Sequence, residues 1–155
     1  MNARSPMFSR LELAPGSGEG ADDGRLEIHE LLGMRIRSPL VFLSGCETAL
    51  GTSWSTSYAR GDDYATLAQA FLYTGAGSVV ATLWRIDDEG AAVFAAAFYD
   101  AMRTRAPIDA LAEAQRALLR DPRYVRFSSP RYWAPYVLAG KTHGGAQIPV
   151  RLSVQ

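Results

Sequence analysis

The sequence is poor in cysteine and histidine, with one cysteine, Cys46, and two histidines among its 155 residues. One cysteine excludes an internal disulfide, and without neighbouring cysteine or histidine ligands it also excludes a zinc cluster. We therefore expect no metal and no cofactor. A free thiol without a partner is typical of a reducing compartment, so the expected location is the cytoplasm.

Excess charge and long apolar runs are also lacking. Lys and Arg together number 16, as do Asp and Glu, so no net field favours nucleic acid or an acidic membrane surface. The apolar runs are far shorter than a membrane span. The sequence also does not begin with the charged and then apolar stretch that is typical of a signal peptide. A hydrophobic content of 48% and a charged content of 21% instead predict one globular domain.

Two apolar runs without alternation predict buried strands, at residues 40–44 and 78–84. Strands of this kind are typical of a parallel sheet that is covered by helices on both faces. A third strand is predicted at residues 132–140, where Pro135 favours an edge or a bulge because proline cannot donate to the ladder. A shorter strand is expected at residues 8–13.

Helices are predicted between these strands from apolar spacing and from their start and stop signals. They are expected over residues 26–33, from Asp62 to Gly75, after the capping residue Asp87, and from Pro107 to Pro122. The alternation of strands and helices predicts a parallel α/β layered domain. Ligands of such sheets bind beyond the carboxyl ends of the strands, where Cys46 and residues 84–88 fall.

Cys46 has two interpretations. As a buried small hydrophobe it would pack beside Phe42. As a nucleophile it would be a thiolate at a strand tip, and it would need a base within hydrogen-bond reach. Among the two histidines, His29 lies on the short predicted helix and His143 lies in the glycine-rich tail, and neither is a convincing base.

Four segments carry a family resemblance. In order, they are residues 43–51 (LSGCETALG), 67–72 (LAQAFL), 75–89 (GAGSVVATLWRIDDE) and 132–140 (YWAPYVLAG). The chain resembles the CHAT domain over roughly residues 5–140. That family of cysteine peptidases is caspase-like, related to separase and often attached to tetratricopeptide repeats. The resemblance implies a caspase-like three-layer α/β sandwich with a mainly parallel sheet.

The resemblance also implies how the chain is organised and what it does. Residues 1–140 would be the C-terminal part of a single CHAT domain whose N-terminal strands are missing, and residues 141–155 a loose tail. Cys46 matches the nucleophile of a cysteine endopeptidase, and its backbone N–H would donate to the oxyanion. The base of the family is a histidine in a His-Gly pair before the cysteine. We expect that pair upstream of Met1, so that the chain alone is inactive.

The residues that bind substrate are expected at Trp84, Asp87 and Asp88. The functional interpretation is a pocket for a basic side chain of a protein or peptide substrate. The alternative is that Asp87 caps a helix, Asp88 favours the helix dipole and Trp84 belongs to the core. The expected partner is an upstream tetratricopeptide-repeat region or a partner chain. A non-catalytic interaction module, a pseudo-peptidase, is the competing function.

Overall fold

The computed structural model describes residues 10–14, 16, 23–44 and 67–141 of the chain. Two short strands precede the first helix, and a helical region lies between the last two strands of the second sheet. The strands are β1 (Arg10–Glu12), β2 (Arg25–Glu27), β3 (Val41–Phe42), β4 (Ser78–Thr82) and β5 (Tyr136–Gly140). The α-helices are α1 (Ile28–Leu31), α2 (Leu67–Tyr73), α3 (Asp88–Met102), α4 (Pro107–Arg120) and α5 (Pro130–Trp133), with a 3-10 helix at Pro122–Phe127.

The described strands form two sheets. β1 and β2 pair antiparallel, while the second sheet has the order β3-β4-β5. In it β3 runs parallel to β4 and β5 runs antiparallel to β4. The parallel ladder extends beyond β3, because the Leu43 N–H donates to the Val80 carbonyl at 2.8 Å.

The prediction of a mainly parallel sheet is not confirmed, because one described strand pair is parallel and two are antiparallel. The reason is the path of the chain into β5. After α5 the chain reaches the carboxyl end of β4, where the Leu83 N–H donates to the Pro135 carbonyl at 3.0 Å. A strand that starts beside the end of β4 must run in the opposite direction. The prediction of an α/β fold is confirmed in its general form.

β4 is the centre of the second sheet and is buried along its whole length. Its side chains alternate between two faces, as in any strand. Val79 and Ala81 belong to an apolar cluster with α1 and α2, whereas Val80 belongs to a second cluster with α3 and α4. Helices therefore cover both faces of this sheet.

The end of α2 is fixed by a glycine. Gly75 has φ +109°, which L side chains rarely adopt. The Ala76 N–H donates to the Phe71 carbonyl at 3.0 Å, and the Gly75 N–H donates to the Leu72 carbonyl at 3.1 Å. These two bonds make a Schellman motif, so α2 ends where the sequence predicts. The predicted start of this helix at Asp62 lies outside the described residues.

Two predicted boundaries are wrong. Leu26 and Glu27, predicted to begin a helix, belong to β2, because Leu26 pairs with Leu11 on β1. The helix that follows is only Ile28–Leu31. Tyr132 and Trp133 belong to α5, not to the last strand, because Pro130 at the first helical position starts a helical turn.

Candidate functional site

The candidate nucleophile, Cys46, lies outside the described residues, as does His143. On the N-terminal side of Cys46, the described residues end at Ser44, which follows β3. Because β3 and β4 are parallel, their carboxyl ends meet at the same edge of the sheet. Ser44 and the loop after β4 therefore leave the sheet at that edge, as the sequence predicts.

Asp87 begins α3 as its N-cap residue. Its backbone is extended (φ −68°, ψ 155°), and its carboxylate accepts a hydrogen bond from the Gly90 N–H at 2.9 Å. This bond satisfies one of the N–H groups that a helix start leaves without a partner. The prediction that Asp87 caps a helix is confirmed, and a role in substrate binding stays a prediction.

Three carboxylates gather at the start of α3, and two of them are already engaged. Asp87 is the cap, and Glu89 accepts a hydrogen bond from the Arg126 guanidinium at 2.7 Å. Asp88 is exposed and forms no ion pair with any residue in the described part of the chain. Among the described residues, the Asp88 carboxylate is therefore the one of the three without an ion-pair or capping partner.

Trp84 lies on the loop between β4 and α3. Its side chain is 39% exposed, which excludes a core position. The indole Nε1–H donates to the Arg131 carbonyl oxygen at 3.1 Å and so joins the loop to α5. The Arg131 guanidinium in turn lies 5.0 Å from the centre of the Tyr132 ring. The structure thus gives Trp84 a defined place on the surface near the start of α3.

The fit between α3 and α5 depends on a small residue. Gly90, in the first turn of α3, is buried, and a Cβ atom at this position would lie 2.5 Å from the Tyr132 Cδ1 atom. Any larger side chain would displace the Tyr132 ring. The candidate residues 84–88 are therefore held from two sides, by the cap of α3 and by the packing of α5.

Tyr136, a residue that sequence reasoning missed, also lies at this edge of the sheet. It opens β5 opposite Thr82, the last residue of β4, and is 1% exposed. Its hydroxyl is buried and has no hydrogen-bond partner within the described residues. The sequence gives no signal for it, because an aromatic residue in a strand is ordinary core material.

Burial raises the pKa of the Tyr136 phenol, since the phenolate would lose its hydration. The Ser44 hydroxyl is near enough to act on this pKa in the opposite direction, as a hydrogen-bond donor would. The two hydroxyls do not meet the geometry of a formed hydrogen bond.

A cavity of about 550 Å³ lies between α3, α4 and the 3-10 helix, and none of the candidate residues lines it. Its walls carry both signs of charge. Arg116 donates to Glu113 at 3.0 Å and Arg123 donates to Asp121 at 2.6 Å, which lowers the pKa of both carboxyl groups. Because these charges are paired with each other, the cavity has no clear preference for a ligand of one sign.

The described ranges contain neither a metal-binding cluster nor a membrane-spanning helix. No three of their His, Cys, Asp and Glu side chains are arranged to hold a metal ion. None of the helices within those ranges combines the length and the apolar character that crossing a membrane requires.

Comparison with known proteins gives one match. The family model described as the CHAT domain matches residues 1–141, which include every described residue. No curated protein and no solved structure matches the chain. The predicted resemblance is confirmed: the chain belongs to the CHAT domain family, which is related to the caspase-like proteases.

Proposed function

We propose that this chain is the nucleophile-bearing part of a CHAT-type cysteine endopeptidase, with Cys46 as the nucleophile. Membership of the family is the observation that carries the proposal. The sheet supports it, because β3, the described strand before Cys46 in the sequence, ends at the edge where parallel strands present their ligands. The proposed fold is the C-terminal part of a caspase-like three-layer sandwich, formed by residues 1–140.

The proposed chemistry is acyl transfer to a thiol. A histidine takes the Cys46 proton, and the thiolate attacks the carbonyl carbon of the scissile peptide bond. The Cys46 backbone N–H donates to the oxygen that becomes negative. The histidine then gives the proton to the leaving amine, and water hydrolyses the thioester. A nucleophilic thiol of this kind suits the reducing cytoplasm.

We assign the role of base to a histidine that is not His29 or His143. His29 lies on α1 with its side chain 49% exposed, and its Nδ1 is 3.2 Å from a carboxylate oxygen of Glu27. This contact joins His29 to the N-cap residue of its own helix. The base is then a histidine from outside this sequence, and the chain alone is inactive. The proposed partner is a tetratricopeptide-repeat region or a partner chain.

The proposed substrate is a protein or peptide with a basic side chain next to the scissile bond. Asp88 supports this specificity, because its carboxylate is exposed and forms no ion pair with a described residue. Trp84 also follows β4 and is 39% exposed, and a guanidinium can stack on an indole that is open to solvent. Asp87 contributes less to such a pocket, since its carboxylate is occupied by the Gly90 N–H.

The test is labelling of the purified chain by a peptide electrophile that ends in arginine, with and without imidazole as a diffusible base. Cys46→Ser is the control for the site of labelling. We expect slow labelling of the chain alone and an increase of about tenfold or more with imidazole, since acid–base catalysis contributes factors of about 10²–10⁴.

Two results would contradict parts of the proposal. Fast labelling without imidazole that is lost in His29→Ala would make His29 the base. No labelling at any imidazole concentration, by a chain that is folded, would favour the alternative function, a non-catalytic interaction module. Such a pseudo-peptidase would need no base, and the described histidine, His29 on α1, lies beside Glu27.

A further inference from the structure

The end of the second sheet that is opposite the candidate site brings three backbone segments together: the segment before β3, the segment before β4 and the end of β5. The Ile36 N–H donates to the Thr74 carbonyl at 2.8 Å, and the Gly77 N–H donates to the Ser38 carbonyl at 2.9 Å. On the other side of Gly77, the Lys141 N–H donates to the Gly77 carbonyl at 3.0 Å. The three segments therefore lie side by side, and the outer two are about 10 Å apart, which is two strand spacings.

Two large apolar side chains are exposed on these segments. Tyr73, the neighbour of Thr74, is 79% exposed, more than any other large hydrophobic residue in the described part of the chain. Met34, two residues before Ile36, is 50% exposed. Apolar side chains stabilise a fold when they are buried, so these two contribute little to the stability of the domain. Exposed apolar residues on adjoining segments instead mark an interaction site.

Three cationic side chains are exposed on the same segments. Arg35 and Arg37 flank Ile36, and Lys141 follows β5. None of the three forms an ion pair or a side-chain hydrogen bond with a described residue. The apolar side chains of this end of the sheet are therefore accompanied by positive charge.

The elements around these cations do not balance their charge. The sequences of α2, β4 and β5 contain no acidic residue. On α1, the Glu30 carboxylate accepts a hydrogen bond from the Glu27 N–H at 2.9 Å, and the Glu27 carboxylate in turn lies 3.2 Å from His29 Nδ1. Complementary charge across an interface favours the correct partner, so this end of the sheet favours an acidic one.

The composition of the surface favours a protein over the other acidic partners. Tyrosine, methionine and arginine are all enriched in the interfaces between proteins. Three cations are few for a nucleic acid, for which about 6–10 phosphate contacts are common, and also few for an anionic membrane, which recruits clusters of about 4–8. The net charge of the whole chain is zero, so no wider field adds to these three.

We infer that Met34, Arg35, Arg37, Tyr73 and Lys141 form a docking surface, the amino-end surface, for an acidic segment of a partner protein. Tyr73 and Met34 would receive an apolar side chain of that segment, and its carboxylates would pair with the cations. Because the amino-end surface lies away from the candidate site and does not include the nucleophile, the inference goes beyond the proposed function and does not depend on it.

The experiment measures peptide binding to the full chain by fluorescence anisotropy. The probe, the glutamate peptide, is a fluorescein-labelled peptide of glutamates around a central leucine and phenylalanine. One control peptide has glutamine in place of every glutamate, and a second has serine in place of the two apolar residues. A labelled single-stranded DNA oligonucleotide and phosphatidylserine vesicles serve as anionic probes of the other two classes.

Two variants change the amino-end surface. We expect Arg35→Gln with Arg37→Gln to weaken binding of the glutamate peptide by about threefold or more, because exposed ion pairs contribute modestly. Added salt should weaken binding to the original chain more than to this double variant, since it screens charges that the variant lacks. Tyr73→Ser should weaken binding by about fivefold or more, because an aromatic anchor carries much of the energy of an interface.

Variants on the helices of the opposite face are the matched controls. Arg103→Gln with Arg120→Gln removes the same charge at the ends of α3 and α4, and Val125→Ser removes an apolar side chain that is 73% exposed. Both should bind the glutamate peptide as the original chain does. All of these variants change exposed side chains, so their thermal midpoints should stay close to that of the original chain.

Several outcomes would overturn the inference. One is the absence of binding, and another is equal binding of the glutamine peptide, since charge would then not be recognised. Equal losses in the control variants would place the binding elsewhere, and tighter binding of the oligonucleotide or the vesicles would assign the surface to a nucleic acid or a membrane. A chain that binds the glutamate peptide as expected but is never labelled by the arginine electrophile would refute the proposed function alone.

Discussion

At the scale of single residues, Asp87 shows how a site loop is held by a helix start. Its carboxylate accepts from the Gly90 N–H at 2.9 Å. We predict that Asp87→Ala lowers the free energy of unfolding by about 1 kcal/mol, because one N–H loses its partner. Urea denaturation followed by circular dichroism measures this. Asp88→Ala, at the next position, removes only a dipole contact and should change it by less than about 0.5 kcal/mol. Equal effects of the two variants would contradict the capping role.

A second residue-scale prediction concerns Tyr136 at alkaline pH. Burial raises the pKa of its phenol above the ordinary value of 10.0 in the folded protein. Below pH 10 the phenol is protonated in both states. Above pH 10 the unfolded chain loses this proton while the folded chain keeps it, so the free energy of unfolding falls as pH rises toward the folded-state pKa.

Denaturation of the original chain and Tyr136→Phe between pH 8 and pH 11 checks this prediction, with each chain compared to its own value at pH 8. We expect a less steep alkaline loss of stability in Tyr136→Phe. Parallel curves for the two chains would show that the phenol ionises equally easily in both states.

At the scale of elements, the end of α2 carries a prediction. Gly75 has φ +109°, and a Cβ atom there would lie 2.7 Å from the Ile36 carbonyl oxygen. Gly75→Ala should therefore destabilise the fold by more than about 1 kcal/mol, from backbone strain and the contact together. Gly33→Ala is the control, since its Cβ would lie 3.3 Å from the Glu30 carbonyl oxygen and no positive φ is involved. Thermal unfolding of both variants measures the difference, and a Gly75→Ala midpoint at or above that of Gly33→Ala would refute the prediction.

The elements also show what the sequence could predict. α3 and α4 agree with prediction because Asp87 and Pro107 are strong start signals and their apolar residues recur at helical spacing. The direction of β5 could not be predicted, because the residues of an apolar strand do not record whether it runs parallel or antiparallel to its neighbour. The predicted start of this strand was wrong. Aromatic residues favour strands, but here Pro130 starts a helical turn instead.

Only part of the candidate site could be predicted from the sequence. The edge where Ser44 and Trp84 leave the sheet follows from two apolar runs and from the geometry of parallel strands. The unpartnered hydroxyl of Tyr136 does not, because it arises from a contact between strands that lie far apart in the sequence. Cys46 lies outside the described residues, so its role stays a prediction from the family.

At the scale of the whole molecule, β4 links two apolar clusters on opposite faces of one sheet. Val79 belongs to one cluster and Val80 to the other, so the two clusters share a backbone. A substitution that destabilises one cluster should therefore destabilise the other as well. This arrangement favours a single cooperative unfolding transition, as is usual for domains of this size.

Leu118 and Leu119 provide a matched test of this cooperativity. Leu118 is 0% exposed in the cluster with α3 and α4, whereas Leu119, the next residue of α4, is 43% exposed. Leu118→Ala should lower the free energy of unfolding by about 2–5 kcal/mol, and Leu119→Ala should cost much less, because only the first leaves a cavity. Tryptophan fluorescence and far-ultraviolet circular dichroism should report one midpoint in each variant. Two midpoints in Leu118→Ala would mean that the cluster with α1 and α2 folds independently, and β4 would then not couple the two faces.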